Sequence, residues 1–249
     1  MAFHKERYDP PPFDYIIPIK VGAWKVKIND YDITDDSGDN ISYKNDHYSE
    51  LTALYWIWKN CTAEYVGLCH YRRFFRVEYE DIISILQKGF IILPKKMVLP
   101  CSVKDQYIKS HSIDEWNVMM DTIEKCFPNY YNTSLEVFSK NKLYPYNMII
   151  CSRSFLNEYC EWLFSILFEV EKNVDVSRRD SYQKRYLGFL AERLLTLFVV
   201  HNASKVKEII VFDDKQKILD EHKMRWEIIN TARYQIRRFI NRRILGGKK

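Results

Sequence analysis

The chain has 249 residues, 47% hydrophobic and 15% aromatic, with 7 glycines and 18 tyrosines. That composition excludes disordered, collagen-like and low-complexity classes and suits a large core in one domain, or one domain with a small appendage. The net charge of +5 fits an anionic ligand or surface without choosing among nucleic acid, nucleotide-sugar and membrane.

The six cysteines, Cys61, Cys69, Cys101, Cys126, Cys151 and Cys160, contain no C-x-x-C pair. Free, mostly buried thiols in a reducing compartment are expected rather than a zinc site. The polar, proline-rich start does not read as a signal peptide. No apolar run approaches the roughly 20 residues of a membrane span. The expected location is cytoplasmic, peripheral on the inner face of the cell membrane.

In chain order, Met1–Phe13 is a charged, proline-rich lead-in, and Asp14–Val21 reads as a short strand with Pro18 at its edge or end. Gly22 allows a tight turn. Trp24–Asp39 is polar. Within it Asp30-Tyr31-Asp32 spells D-x-D, a metal–nucleotide signature, but the half-polar run before it favours a solvated loop. Asn45 or Asp46 is expected to cap a helix over Tyr48–Asn60. There Leu51, Leu54, Tyr55 and Trp58 recur at helical spacing. Glu50, near the N-terminal turn, either complements the helix dipole or bonds a ligand.

A connector, Cys61–Glu64, leads to a strand over Tyr65–Cys69, and this helix-to-strand order favours a parallel sheet. Glu80–Lys88 reads as a helix and Phe90–Leu93 as a buried strand closed by Pro94. Val103–Phe127 reads as mainly helical, with His111 near its middle; a lone histidine there is more often a helix residue than a catalyst. Pro128–Lys142 reads as a polar, acceptor-facing lid. Tyr146–Cys151 is a short strand led by Asn147, and Phe155–Glu171 an amphipathic helix. Val174–Ser181 is a charged loop holding Asp180. Tyr182–His201 reads as the longest helix, with Glu192 and Arg193 at the margin of its apolar stripe, and Val206–Phe212 is a late strand. The tail, Lys223–Lys249, alternates basic and apolar residues as a basic amphipathic helix of the kind that lies on anionic membranes; the plainer alternative is a helix packed on the domain with a solvated basic face. The expected division is a main α/β domain over 1–220 and this helix over 221–249.

The most chemical stretch is Tyr65-Val66-Gly67-Leu68-Cys69-His70-Tyr71-Arg72-Arg73, where an apolar run stops at an imidazole, a phenol and two guanidinium groups. In α/β sheets ligands sit at the carboxyl ends of strands. Arginine presents a planar fork of donors matched to phosphate oxygens, and it keeps its charge. Arg72 and Arg73 are therefore expected to receive an anionic leaving group such as a diphosphate without a metal; the alternative is pairing with surface acids. A non-catalytic nucleic-acid or scaffold protein fits the basic charge loosely. No nucleic-acid motif appears, however, and the arginines end a strand rather than forming a surface stripe, so no nucleic-acid partner is expected.

Asn40-Ile41-Ser42, Lys44-Asn45, Glu50 to Asn60 and Gly67 to Arg73 closely resemble a bacterial glycosyltransferase family encoded in capsule, exopolysaccharide and O-antigen clusters, long carried as a domain of unknown function. Ile19-Lys20-Val21-Gly22, Asn147-Met148, Tyr159-Cys160-x-Trp162-Leu163-Phe164 and Arg185-x-x-Gly188 to Arg193 extend the resemblance from about Asp14 to His201. It implies a GT-A-like α/β fold, a mixed and mostly parallel sheet flanked by helices. It also implies transfer of a sugar, galactofuranose from UDP-galactofuranose in similar members, to a cell-surface glycan or lipid-linked glycan. There the His-Tyr-Arg-Arg stretch takes the usual D-x-D place, so no metal is expected.

Carried onto this sequence, Glu192 is the first choice of base and Asp180 the second, with Arg72 and Arg73 on the diphosphate. Val21, Gly22, Asn40, Ser42, Lys44, Asn45, Glu50, His70 and Tyr71 line the donor side, and His111 and Asn147 touch the acceptor. The family's first strand ends in a His-Lys pair. Here His4-Lys5 follows only three residues, so that strand is expected to be short or missing. The alternative within the class is a metal-dependent enzyme using Asp30 and Asp32 with another UDP-hexose.

Overall fold

The computed structural model describes residues 1–4, 13–25, 32–202, 205–213 and 220–245. In chain order the strands are β1 (Ala2–Phe3), β2 (Ile19–Lys20), β3 (Tyr65–Leu68), β4 (Arg73–Phe75), β5 (Phe90–Pro94), β6 (Met97–Val98), β7 (Lys142–Leu143), β8 (Ile149–Ser152), β9 (Lys205–Ile209) and β10 (Val211–Asp213). The helices are α1 (Asn45–Tyr48), α2 (Leu51–Asn60), α3 (Tyr79–Gln87), α4 (Val103–Ser110), α5 (Ile113–Cys126), α6 (Pro128–Ser139), α7 (Arg153–Asn173), α8 (Tyr186–His201) and α9 (Asp220–Leu245).

The expected mixed α/β arrangement is what the chain adopts. Its central sheet has the order β3-β8-β5-β9. β5 and β9 are parallel, whereas β8 runs antiparallel to both β3 and β5. The antiparallel share is larger than the helix-to-strand order of residues 51–69 suggests, because β8 enters between its neighbours from the opposite end. β1 and β2 pair in parallel. β1 also joins the end of β3: Ala2 N–H donates to Cys69 O at 2.9 Å and Tyr71 N–H to Ala2 O at 3.1 Å. The first strand is thus short but fully buried.

The pattern of burial explains the layers. In β5, Ile91, Ile92, Leu93 and Pro94 are all buried, as a strand covered on both faces requires. α8 is apolar nearly all round, with twelve of its sixteen residues buried, so it is a core helix rather than a surface one. α5, α6, α7 and α8 pack on one another. Tyr159, Leu163, Ile166, Leu190 and Leu194 lie in the common core. The six cysteines are free thiols; Cys101, Cys151 and Cys160 are buried. Among the described residues no helix is long and apolar enough to cross a membrane.

Several expected elements are divided or changed. The helix over Tyr48–Asn60 is interrupted at Ser49, whose φ is 51°. Asn45 opens α1 rather than capping it, and its amide instead donates to Ser49 O at 2.8 Å and to Thr52 Oγ1 at 3.1 Å. Val103–Phe127 splits at His111, because Ser112 caps α5 by accepting from Asp114 N–H. Val206–Phe212 splits into β9 and β10.

The polar lid expected over Pro128–Lys142 is instead α6, a scaffold helix. Pro128 sits where a missing N–H costs nothing, and Ser134, Val137 and Phe138 turn inward. The strand expected over Asp14–Val21 shortens to β2. Of the D-x-D, Asp30 and Tyr31 lie outside the described residues.

Candidate active site

β3 ends in a tight turn. His70 N–H donates to Arg73 O at 2.8 Å and Arg73 N–H to His70 O at 3.0 Å, so His70-Tyr71-Arg72-Arg73 is closed by two reciprocal backbone bonds. All four residues are half-buried. Both guanidinium groups lie against tyrosine rings: Arg72 over Tyr71 at 4.9 Å and Arg73 over Tyr146 at 4.4 Å. A stacked guanidinium is held by its face while its N–H donors spread in the plane.

Opposite this turn stands the lead-in to β8. Tyr146 and Asn147 both have positive φ, 74° and 51°, a conformation that costs about 1–3 kcal/mol in a non-glycine residue and tends to collect at functional sites. The bend aims the two polar groups of Tyr146 in different directions. Its N–H donates to Glu192 Oε1 at 2.8 Å, and its carbonyl accepts from His70 Nε2 at 2.6 Å. Asn147 is buried and donates through Nδ2 to Glu50 Oε1 at 2.8 Å and to Gly188 O at 3.0 Å. Both of its partners are acceptors, which fixes the amide's orientation.

Glu192, on α8, keeps 21% of its side chain exposed and pairs with Arg193 at 2.7 Å through its second oxygen. Arg193 is itself buried and is anchored by Phe189 O at 2.8 Å and by Gln106 Oε1. Burial pushes the Glu192 carboxyl up. Arg193 and the Tyr146 N–H pull against that rise, Glu50 adds to it, and His70 opposes it. A carboxyl raised by burial, with a cation and a second carboxylate close by, is the usual setting of an acid–base group.

The structure therefore brings together, through contacts made by Tyr146 and Asn147, the residues Glu50, His70, Arg73 and Glu192, with Tyr71 and Arg72 on the adjoining turn. Val21 and Gly22 follow β2. There the Lys20 amine bonds His4 O at 2.7 Å, and the His4 ring meets Tyr71 edge-on at 5.2 Å. Gly22 has φ 65°, and a Cβ there would stand 2.8 Å from Asn45 Oδ1; its N–H donates to the buried carboxylate of Asp35, which also receives the Ser42 hydroxyl.

Other expected residues make contacts of their own. Asn40 closes a turn through Asp36 O and Gly38 O. Lys44 pairs with Glu171 at 2.6 Å. Asp180 is exposed and accepts from Gln183 N–H at 2.7 Å. His111 stacks on Phe189 at 4.3 Å and meets Gln183 through Nδ1, and burial holds its pKa down. It sits beside α8, near enough to Arg193 for that charge to add to the lowering.

The linking role of Tyr146 and the anchoring of Arg193 by Gln106 are not legible in the sequence. Asn147 is of a type that enters the left-handed region readily, a weak signal by itself, and Tyr146 before it gives none. A cavity of about 630 Å3, lined by Tyr15, Ile17, Trp56, Val66 and Ile82 among others, includes none of the expected site residues. Its wall is largely apolar, with Glu64 the one charged side chain among the residues that line it, so it does not mark the chemistry.

Residues 1–203 match the family model described as "Domain of unknown function (DUF4422)". The chain belongs to this family. The family's match ends just after α8, so it takes in every residue of the cluster around Glu192. The apo structure of the WbbM bifunctional glycosyltransferase superposes with a TM-score of 0.74 at 28% identity, over 85% of this chain. This chain spans 44% of that protein's length. No curated protein matches.

Proposed function

We propose that this chain is a glycosyltransferase that moves galactofuranose from UDP-galactofuranose to a growing cell-surface glycan or lipid-linked glycan at the cytoplasmic face of the membrane. The observation that carries this reading is the placement of Glu192. It is a half-buried carboxylate held by Tyr146 and Arg193 and tied through Tyr146 to the His70–Arg73 turn. Likeness to part of a bifunctional glycosyltransferase supports glycosyl transfer. The choice of furanose donor rests on the motif resemblance.

In the proposed step an acceptor hydroxyl attacks the anomeric carbon. The new carbon–oxygen bond forms as the bond to UDP breaks, and the hydroxyl proton passes to Glu192. Arg72 and Arg73 stabilise the negative charge gathering on the diphosphate, in the place a divalent cation holds in related chemistry. Glu50, positioned by Asn147, faces the donor sugar.

The test is a donor screen with the purified chain, following UDP release with and without acceptor glycan. UDP-galactofuranose is expected to turn over fastest, and Glu192→Gln to lose acceptor-dependent release. Equal turnover of another UDP-hexose would reassign the donor, and full activity in Glu192→Gln would remove the base.

A further inference from the structure

We propose that α9 is an interfacial membrane helix, lying in the plane of an anionic bilayer. Along one polar edge it bonds to the rest of the protein: Asn230 donates to Val98 O at 3.0 Å and Tyr234 to Ser139 O at 2.9 Å. At roughly 100° per residue, Ile228, Ile229, Ile236, Phe239 and Ile240 fall within an arc of roughly 120°, centred roughly 160° round from that edge. All five are exposed, and Ile228 is 64% exposed. The helix thus docks by its polar side and presents an isoleucine-rich stripe outward, a poor arrangement for a helix whose partner is water.

The charges choose the occupant. On the same projection Arg233 borders the stripe, while Arg237 lies roughly 60° beyond one margin and Arg238 roughly 80° beyond the other, within reach of its flanks only through their long side chains; all three are exposed, as is Trp226 between Arg233 and Arg237. Over 226–240 the single acid is Glu227. A second copy of this helix would bring arginines against arginines. A surface of lipid phosphates over acyl chains satisfies both features, with the isoleucines in the acyl boundary and the guanidinium groups at the phosphates. The 26-residue helix is about 39 Å long at 1.5 Å per residue, and its arginines hold it in the plane rather than across.

The inference does not depend on glycosyl transfer, and its test reads binding rather than turnover. The full chain is sedimented with phosphatidylcholine vesicles, with and without added phosphatidylglycerol. It is expected to bind the anionic vesicles. Ile236→Glu/Ile240→Glu is expected to weaken that binding about tenfold or more, and Arg233→Gln/Arg237→Gln/Arg238→Gln to abolish the preference for phosphatidylglycerol. Absence of binding by the unaltered chain, or unchanged binding in both variants, overturns the proposal. So does a stable dimer by light scattering that Ile236→Glu/Ile240→Glu dissolves, since the stripe would then meet a second copy.

Discussion

Glu192 carries two opposed influences, and their balance is measurable. Burial raises its carboxyl, while Arg193 and the Tyr146 N–H lower it. As a base it must be ionised, so kcat/KM falls as pH drops through its raised pKa. The acid limb of the profile is expected above the ordinary carboxylate range of roughly 4 to 4.5. Arg193→Met, which removes the cation, is expected to move that limb further up. A limb at the ordinary value, or one unmoved in Arg193→Met, contradicts the assignment. For stability the sign is reversed: a carboxyl raised in the folded state disfavours folding above that pKa, and the penalty fades as pH falls through it. Asn147 shows the same compromise between stability and function, since its Oδ1 is buried without a partner while its Nδ2 holds Glu50.

At the scale of elements, the pairing of β3 with β8 fixes how far the His70–Arg73 turn stands from the Tyr146–Asn147 bend. Gly67 sits in that pairing opposite Ile150. A Cβ at Gly67 would lie 2.7 Å from the Ile149 carbonyl and 2.9 Å from Ile150 Cγ1. Backbone cannot yield there cheaply, so Gly67→Ala is expected to cost about 1–3 kcal/mol, as overpacked sites do. Urea denaturation checks this, and an unchanged midpoint would mean the two strands separate freely.

The same region shows what a sequence can convey. The apolar run ending in His-Tyr-Arg-Arg, the helix after Glu50 and the long core helix carrying Glu192 were legible, because periodicity and abrupt changes of polarity come from local chemistry. The break at Ser49, the left-handed Tyr146–Asn147 pair and the helix over Pro128–Ser139 were not. The first two involve partners far away in sequence: Arg185 donates to the Ser49 hydroxyl, and Glu192 and Glu50 accept from Tyr146 and Asn147. The third hid its inward face because Tyr130 and Tyr131, which pack on the core, read as polar residues among asparagines and serines.

Across the whole molecule, the mixed sheet draws its polar chemistry from segments far apart in the chain. β1 and β2 bring His4 and Gly22, β3 brings the arginine turn, the start of β8 brings Asn147, and α8 brings Glu192. This convergence at one end of the sheet fits the rule that ligands gather beyond strand ends. The central claim is that Arg72 and Arg73 stabilise the departing diphosphate without a divalent cation. The most direct measurement is UDP release from UDP-galactofuranose in excess EDTA, by the unaltered chain and by Arg72→Ala and Arg73→Ala. The account predicts that EDTA leaves the unaltered rate intact and that each substitution lowers kcat about 100-fold or more. Loss of the unaltered activity in EDTA, or retention of the full rate by both variants, would contradict it.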